Sequence, residues 1–291
     1  MKNIGIISNN EKQEAIEIAR KIYDYLIKKD RDIRVFFVET DKMPGIFGLP
    51  SVSENEFSNK NDVIISVGGD GTFLRASKYS FLKEVPVLGI NVGNLGFLTV
   101  VDTCNINEAL DRLLKNKYKI EKRMLLEGRF FKNDRVIENK KLPYLALNEF
   151  AITRSTLGKI IRFEIIVNKI SIKKFAADGI IISTPTGSTA YSLSAGGPIV
   201  EPKSEVIIIT PICPHTLLSR SIILGPDNEL EIMVSSRNET DSVSVDGKTI
   251  QISIKPDYIF KVKKSKSKLK LITFNKDTFF KVFKEKFIER I

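Results

Sequence analysis

A change of rhythm near Val101 divides the chain into two parts. Before it, short apolar runs alternate with amphipathic stretches. Ile4–Ile7 reads as a strand, and Ala15, Ile18, Ile22 and Leu26 then recur at helical spacing after a start near Asn9–Asn10. Ile33–Val38, Val63–Val67 and Val85–Ile90 read as further strands, with Leu74–Tyr79 helical before the last of them. Strands alternating with helices predict a parallel sheet covered on both faces. Met43–Asn61, polar and interrupted by Gly and Pro, reads as a mobile loop. Past a short helix at Ile106–Leu114 the segments become β-rich: Met124–Phe131, Leu145–Thr153, Ile160–Val167, Ile170–Ala176, Glu205–Thr210, Leu230–Val234, Val243–Val245 and Ile250–Ile254. Turn residues separate them, as in a sandwich. The expected architecture is an α/β N-terminal domain with a parallel sheet (residues 1–101), then a β-rich, sandwich-like C-terminal domain (102–275). A last helix, about Lys276–Ile291, has no partner in the sandwich and is expected to return to the first domain.

Composition narrows the function classes. Of 291 residues, 42% are hydrophobic and 28% charged, enough for two cores and wrong for a disordered tail or a fibrous repeat. No apolar run approaches the roughly 18 residues of a membrane-spanning helix, and Met1–Ser8 turns polar too soon for a secretion signal. Two cysteines far apart, Cys104 and Cys213, exclude a disulfide framework and fit a reducing compartment. The single histidine, His215, excludes a cluster of His ligands within one chain and, without a Gly-x-Ser-x-Gly elbow, makes a poor start for a hydrolase triad. A cytoplasmic protein without a membrane partner is expected. The net charge of +11 is concentrated at the end, where Lys255–Ile291 holds twelve Lys or Arg against four Asp or Glu. There Phe260, Val262, Leu269 and Leu271 alternate with lysines as in a half-buried strand, and Phe280, Phe283, Phe287 and Ile291 recur as in an amphipathic helix. This is a solvated basic face or an attraction for anionic substrates. No aromatic–basic stacking motif or zinc finger accompanies it, so no nucleic-acid partner is expected.

Two segments carry chemistry. Gly68-Gly69-Asp70-Gly71-Thr72 lies between a buried strand and a helix, where ligands settle in open α/β sheets. Glycines there let backbone N–H groups reach phosphate oxygens, and the helix start adds a favourable dipole. Neither a Walker A loop nor a Gly-x-Gly-x-x-Gly fingerprint is present. An Asp among the glycines is either a capping residue in a tight turn or a group that meets Mg²⁺ or a reacting hydroxyl. The second segment runs from Asp178 to Pro198 and packs Ser183, Thr184, Thr186, Ser188, Thr189, Ser192 and Ser194 around Tyr191 after a buried strand. Such a set offers uncharged donors and acceptors for sugar hydroxyls and amides, with a ring for stacking a base, unless it is only a Ser/Thr-rich cap and turn. Asn148-Glu149 at a strand end suits a ribose clamp or a solvent-facing polar pair, and Phe97, in Asn91–Phe97, suits a base pocket or a core.

Together these residues resemble the NAD kinase family. Gly68–Thr72 matches its GGDGT motif, Asn148-Glu149 its Asn-Glu pair, and Asp178–Pro198 its long Thr-Pro-Thr-Gly-Ser-Thr-Ala-Tyr segment. Pro211–Leu217 and Asp246-Gly247 look like later blocks of the family, so the likeness runs in order from about residue 60 to 250. The resemblance implies two domains with the site between them, and transfer of the γ-phosphoryl group of ATP (polyphosphate in some members) to the 2′-hydroxyl of NAD's adenosine ribose, giving NADP and ADP. It implies that Gly68, Gly69, Gly71 and Thr72 hold the donor's phosphates and that Asp70 is the catalytic residue at the acceptor hydroxyl. Asn148 and Glu149 would hold ribose, while Thr189, Tyr191, Ser194 and Phe97 surround adenine. Thr186, Ala190, Gly71 and Asp246 join the NAD-binding set, and Asp178 and Cys213 face the nicotinamide end. It also implies Mg²⁺, carried by the nucleotide phosphates with no protein ligand assigned, and a homodimer or homotetramer with shared sites. An aspartate is a weak base for a sugar hydroxyl, so Asp70 is expected to orient it and accept its proton late. Ala177 and Ser221 depart from the family's usual glycine and proline beside recognised blocks. GGDGT also occurs in diacylglycerol kinases; that lipid-kinase alternative leaves the hydroxyl cluster unexplained. A non-catalytic NAD-binding protein is the other rival.

Overall fold

A computed structural model describes residues 2–39, 48–93, 96–137, 142–154, 160–216, 220–235, 242–250, 255, 257–274 and 278–288. They form two compact units, 1–122 with 269–291, and 123–268. The helix near residue 106 therefore groups with the first unit rather than opening the second, and the chain re-enters the first unit at residue 269.

In the first unit, strands β1 (Asn3–Ser8), β2 (Arg34–Glu39), β3 (Ser51–Ser53), β4 (Val63–Gly68) and β5 (Val87–Asn91) alternate with helices α1 (Gln13–Lys29), α2 (Glu54–Lys60) and α3 (Asp70–Ser77). Helix α4 (Ile106–Leu114) follows. The strands pair in parallel in the order β5-β4-β1-β2-β3. All of β4 and β5 is buried, as a parallel sheet covered on both faces requires. Helix α1 packs Ala15, Ile18, Ala19, Ile22 and Leu26 onto this sheet's core, the face its spacing predicted. One expectation fails here. Ser51–Lys60 is no loop: Ser51–Ser53 adds an edge strand, Ser53 caps α2 through its hydroxyl, and Phe57 is fully buried. Polar composition concealed that single apolar anchor; residues 43–47 of the segment lie outside the described residues.

The second unit is antiparallel. Its strands are β6 (Lys119–Lys132, from residue 123 on), β7 (Arg135–Val136), β8 (Tyr144–Ala146), β9 (Glu149–Thr153), β10 (Ile161–Val167), β11 (Ile170–Ala177) and β12 (Gly179–Ser183). After these come β13 (Ile207–Ile212), β14 (Ile222–Leu224), β15 (Leu230–Ser235), β16 (Ser242–Val245), β17 (Lys248–Ile250) and β18 (Ile259–Thr273, up to residue 268). One sheet runs β14-β13-β12-β9-β16-β17; β11-β10-β15-β18 pair in another. Phe150, Ile152, Ile180 and Ile182 of the former share one core with Phe163, Ile165, Ile232 and Phe260 of the latter, which makes the unit a sandwich. Ile250 ends β17, and the expected strand residues 251–254 lie outside the described residues. The predicted strand Leu145–Thr153 is broken at Leu147-Asn148, which leaves the Asn-Glu pair at a bend.

The basic tail is a strand and a helix. In β18, Lys261 pairs with Glu231 at 3.0 Å, Lys264 and Lys268 with Glu205 at 3.1 and 2.5 Å, and Lys270 with Glu84 at 3.1 Å. Helix α6 (Thr278–Phe287) belongs to the first unit and packs Phe279 and Phe287 against Phe97.

Candidate functional site

The strand order of the first unit reverses between β1 and β4, and the crevice at the carboxyl ends of such a pair is where open α/β sheets bind ligands. Ser8-Asn9-Asn10 closes one strand and Gly68-Gly69-Asp70 the other, tied by a hydrogen bond from Asn9 N–H to the Val67 carbonyl (2.9 Å). Gly69 is the N-cap of α3, so the first N–H groups of that helix point out of the corner without intrahelical partners. A Cβ on Gly69 or on Gly71 would meet nothing within 4 Å, so this side of the corner is open. Thr72 is buried behind it.

Asp70 is held in place. One carboxylate oxygen accepts the Phe97 N–H at 2.9 Å and the other the Leu98 N–H at 3.0 Å. The fit is possible because residue 96 lacks a side chain; a Cβ there would lie 2.1 Å from Asp70 Oδ1. Two acceptor positions on the carboxylate remain for a ligand. Asn91, at the end of β5, donates to the Gly93 carbonyl (2.9 Å) and accepts from the Thr99 hydroxyl (3.3 Å), which braces the same loop. Lys12, at the start of α1, brings its ammonium to 3.4 Å from where a Cβ on Gly93 would stand. Sequence reasoning named Asn91 and Gly96 only as part of the segment Asn91–Phe97 and passed over Lys12, because their roles arise from strand ends that meet only in the sheet. The Phe97 ring lies against Phe279 and Phe287, with the Lys286 ammonium 4.9 Å over its face.

In the second unit, the structure gathers the Asn-Glu pair, Asp246 and the start of the hydroxyl segment. Asp246 and Gly247 form the two-residue turn between β16 and β17, both with positive φ (+48° and +74°). From there the Asp246 carboxylate accepts N–H groups of Leu147 (3.0 Å), Asn148 (2.8 Å) and Glu149 (3.2 Å). The carbonyls on the other side are held too: Thr184 donates its hydroxyl to Leu147 (2.5 Å) and its N–H to Asn148 (2.9 Å). Gly187 presses so closely that a Cβ would lie 2.2 Å from the Asn148 carbonyl oxygen. Asn148 and Glu149 are consequently buried and fixed. Burial first, and then the Asp246 charge, push the Glu149 carboxyl up to about 8, and its Oε2 has no hydrogen-bond partner among the described residues. Thr186 is buried and accepts from Arg123 at 3.4 Å. Thr189, Ala190, Tyr191 and Ser194 follow on a one-turn 3-10 segment (Thr186–Thr189) and a short helix, α5 (Tyr191–Ser194), with Tyr191 and Ser194 exposed.

The remaining predicted residues lie elsewhere. Asp178 precedes β12, at the opposite end of that strand from Ser183, which pairs with Glu149. Five residues of strand put it roughly 15–20 Å away along the sheet. There it pairs with Arg154 at 2.9 Å and approaches His215 at 3.9 Å, and Cys213, exposed and with positive φ, follows β13 nearby. The two departures from the family pattern are accommodated: Ala177 is fully buried in β11, and the Ser221 hydroxyl extends a chain through Thr210 to Ser192 (3.1 and 2.9 Å).

A glycine-and-aspartate corner on a parallel sheet is followed in the same chain by a sandwich that clamps an amide and a carboxyl. Residues 4–118 match the family model described as ATP-NAD kinase N-terminal domain, and 147–274 match the ATP-NAD kinase C-terminal domain. An NAD kinase of Thermoanaerobacter sp. (strain X514) is 40% identical over the whole of both chains, and that of Heliobacterium modesticaldum is 34% identical over 98% of each. Among solved structures, yeast NADH kinase complexed with NADH superposes with a TM-score of 0.88 at 25% identity, covering 99% of this chain and 88% of that one. An NAD kinase from Archaeoglobus fulgidus in complex with ATP gives 0.71 at 27% identity, covering 97% of both. The chain belongs to the NAD kinase family.

Proposed function

We propose that this chain transfers the γ-phosphoryl group of ATP to the 2′-hydroxyl of the adenosine ribose of NAD, forming NADP and ADP. The observation that carries the proposal is the Asp70 carboxylate, fixed by two backbone N–H groups beside an open helix N-terminus at the switch point of the sheet. Phosphoryl transfer passes through a loose transition state, so positioning and charge neutralisation contribute more than covalent help. The N–H groups of the Gly69–Gly71 corner and the Lys12 ammonium suit the donor's phosphates. Asp70, held in one orientation, uses its remaining acceptor positions to align the ribose hydroxyl, and takes its proton late as the P–O bond forms. Mg²⁺ would enter with ATP as part of the substrate, where it would neutralise phosphate charge.

Asn148, Glu149 and the hydroxyl segment with Tyr191 suit the adenosine part of NAD. Asp178, Arg154 and His215, at the other end of β12, are proposed to serve a neighbouring subunit of a homodimer or homotetramer, since one strand length separates them from Glu149. No helix among the described residues is long and apolar enough to cross a membrane, and we place the enzyme in the cytoplasm. Incubation with ATP, Mg²⁺ and NAD, with product read by an NADP-specific dehydrogenase, tests the activity; folded protein that forms no NADP would refute it. Mixing Asp70→Asn subunits with Asp178→Ala subunits tests the sharing of sites, because mixed oligomers are expected to regain part of the turnover that each variant alone loses.

A further inference from the structure

Glu149 poses a question that ribose binding alone leaves open: in which protonation state does it meet its ligand? The three N–H donors of Leu147, Asn148 and Glu149 all go to Asp246, so none of them is left for the carboxyl of Glu149. An ionised carboxylate is acceptor-only, and Asp246 receives three donors in that role. Its own N–H donates to the Glu149 carbonyl at 3.0 Å, so turn and strand end are locked to each other in both directions. Glu149 itself is 6% exposed, and its Oε2 is buried without a partner. On its flank β12 faces it with Ser183, which does not titrate, and from the β16–β17 turn Asp246 is the charged group whose field acts on it. A buried carboxyl beside a fixed anion keeps its proton at neutral pH. It then offers an O–H donor that no described residue uses.

We propose that Glu149 works as a neutral carboxylic acid, donating a hydrogen bond to an uncharged oxygen or nitrogen acceptor on the dinucleotide, and that Asp246 is the positioning residue that keeps it neutral. The inference rests on the proposed function for the identity of the ligand, and on the clamp around residues 147–149 for the state of the donor. It separates two neighbouring carboxyl groups by role: Asp246 organises backbone, Glu149 reads the ligand. Above the range in which Glu149 holds its proton, the donor is lost and a negative charge faces an anionic dinucleotide, so affinity falls.

The test measures the NAD dissociation constant by calorimetry between pH 6 and 10, without ATP, on the full chain. Wild type is expected to hold its affinity to about pH 8 and then to weaken about tenfold per pH unit. Glu149→Gln, which keeps a donor and an acceptor but cannot ionise, is expected to bind a few-fold more weakly and to lose this alkaline limb. Asp246→Asn is expected to move the limb to lower pH. A wild-type affinity that stays level to pH 10, or an identical limb in Glu149→Gln, would overturn the proposal. Because Asp246→Asn also disturbs the clamp, difference infrared spectra of wild type against Glu149→Gln give a second reading. A protonated-carboxyl C=O band present at pH 7 and lost at higher pH is expected, and its absence at pH 7 would overturn the assignment. Infrared needs no ligand, so a failure of NAD to bind at any pH would count against the proposed function and be told apart from a failure of the neutral donor.

Discussion

Replacing Asp70 with asparagine changes one oxygen to an amide and removes one charge, and the structure makes both consequences calculable. The carboxylate now accepts two N–H groups, from Phe97 and Leu98, at 2.9 and 3.0 Å. Asparagine has one acceptor oxygen, so one of these N–H groups must face an NH₂ donor instead. Losing a hydrogen bond to a charged acceptor costs about 1.5–3 kcal/mol, and the half-buried position of Asp70 favours the lower end. Each kcal/mol corresponds to roughly 2–4 °C in Tm for a protein of this size, so a drop of about 3–6 °C is expected. Turnover should fall further, by roughly 100-fold, because the proton acceptor is also lost. The loop that carries Phe97 loosens as well, so NAD affinity should weaken a few-fold rather than stay unchanged. Scanning fluorimetry gives the Tm, a coupled NADP assay gives kcat, and calorimetry gives the affinity. Turnover within twofold of wild type would refute the catalytic role; an unaltered Tm would refute the clamp.

Three further outcomes are expected. Glu149, with its folded-state carboxyl pushed up to about 8, binds its proton more tightly in the folded than in the unfolded chain. Its contribution to stability is therefore fully present below about pH 4.5 and declines by about 1.4 kcal/mol per pH unit until about pH 8. Between pH 5 and 7.5 the stability difference between wild type and Glu149→Gln in urea unfolding should change by on the order of 3 kcal/mol, and parallel profiles would contradict it. Gly187→Ala places a Cβ 2.2 Å from the Asn148 carbonyl oxygen, a backbone atom that cannot step aside. A loss of about 1–3 kcal/mol is expected, together with a higher KM for NAD, both measurable on purified protein. Removing divalent cations with EDTA should abolish turnover yet leave NAD binding intact by calorimetry, since Mg²⁺ is proposed to enter with ATP rather than with NAD.

Much of this was legible beforehand, for local reasons. Apolar runs such as Val63–Val67 are buried on both faces of a parallel strand, and the α1 stripe from Ala15 to Leu26 packs as its spacing demands. Residue chemistry marked out the glycine corner and the hydroxyl segment. The errors have local reasons too. Ser51–Lys60 looked like a loop because one buried Phe57 is too small a signal against nine mostly polar neighbours. Helix α4 sat on the wrong side of the boundary, since nothing in its own residues says which core its apolar face will meet.

Asp246 shows where the sequence stops. The family resemblance placed it in the NAD-binding set and named no partner for it within the chain. That its two oxygens would collect three N–H groups from residues almost a hundred positions earlier follows from the pairing of β16 with β9, a non-local contact. The same holds for Asp70 and the Phe97–Leu98 backbone, joined across β4 and β5. Periodicity and motif chemistry, which act over a few residues, decided the elements and the kind of ligand. Which carboxyl is charged, which is neutral and which holds a loop depends on burial and on partners brought from far along the chain, and only the folded structure decides those.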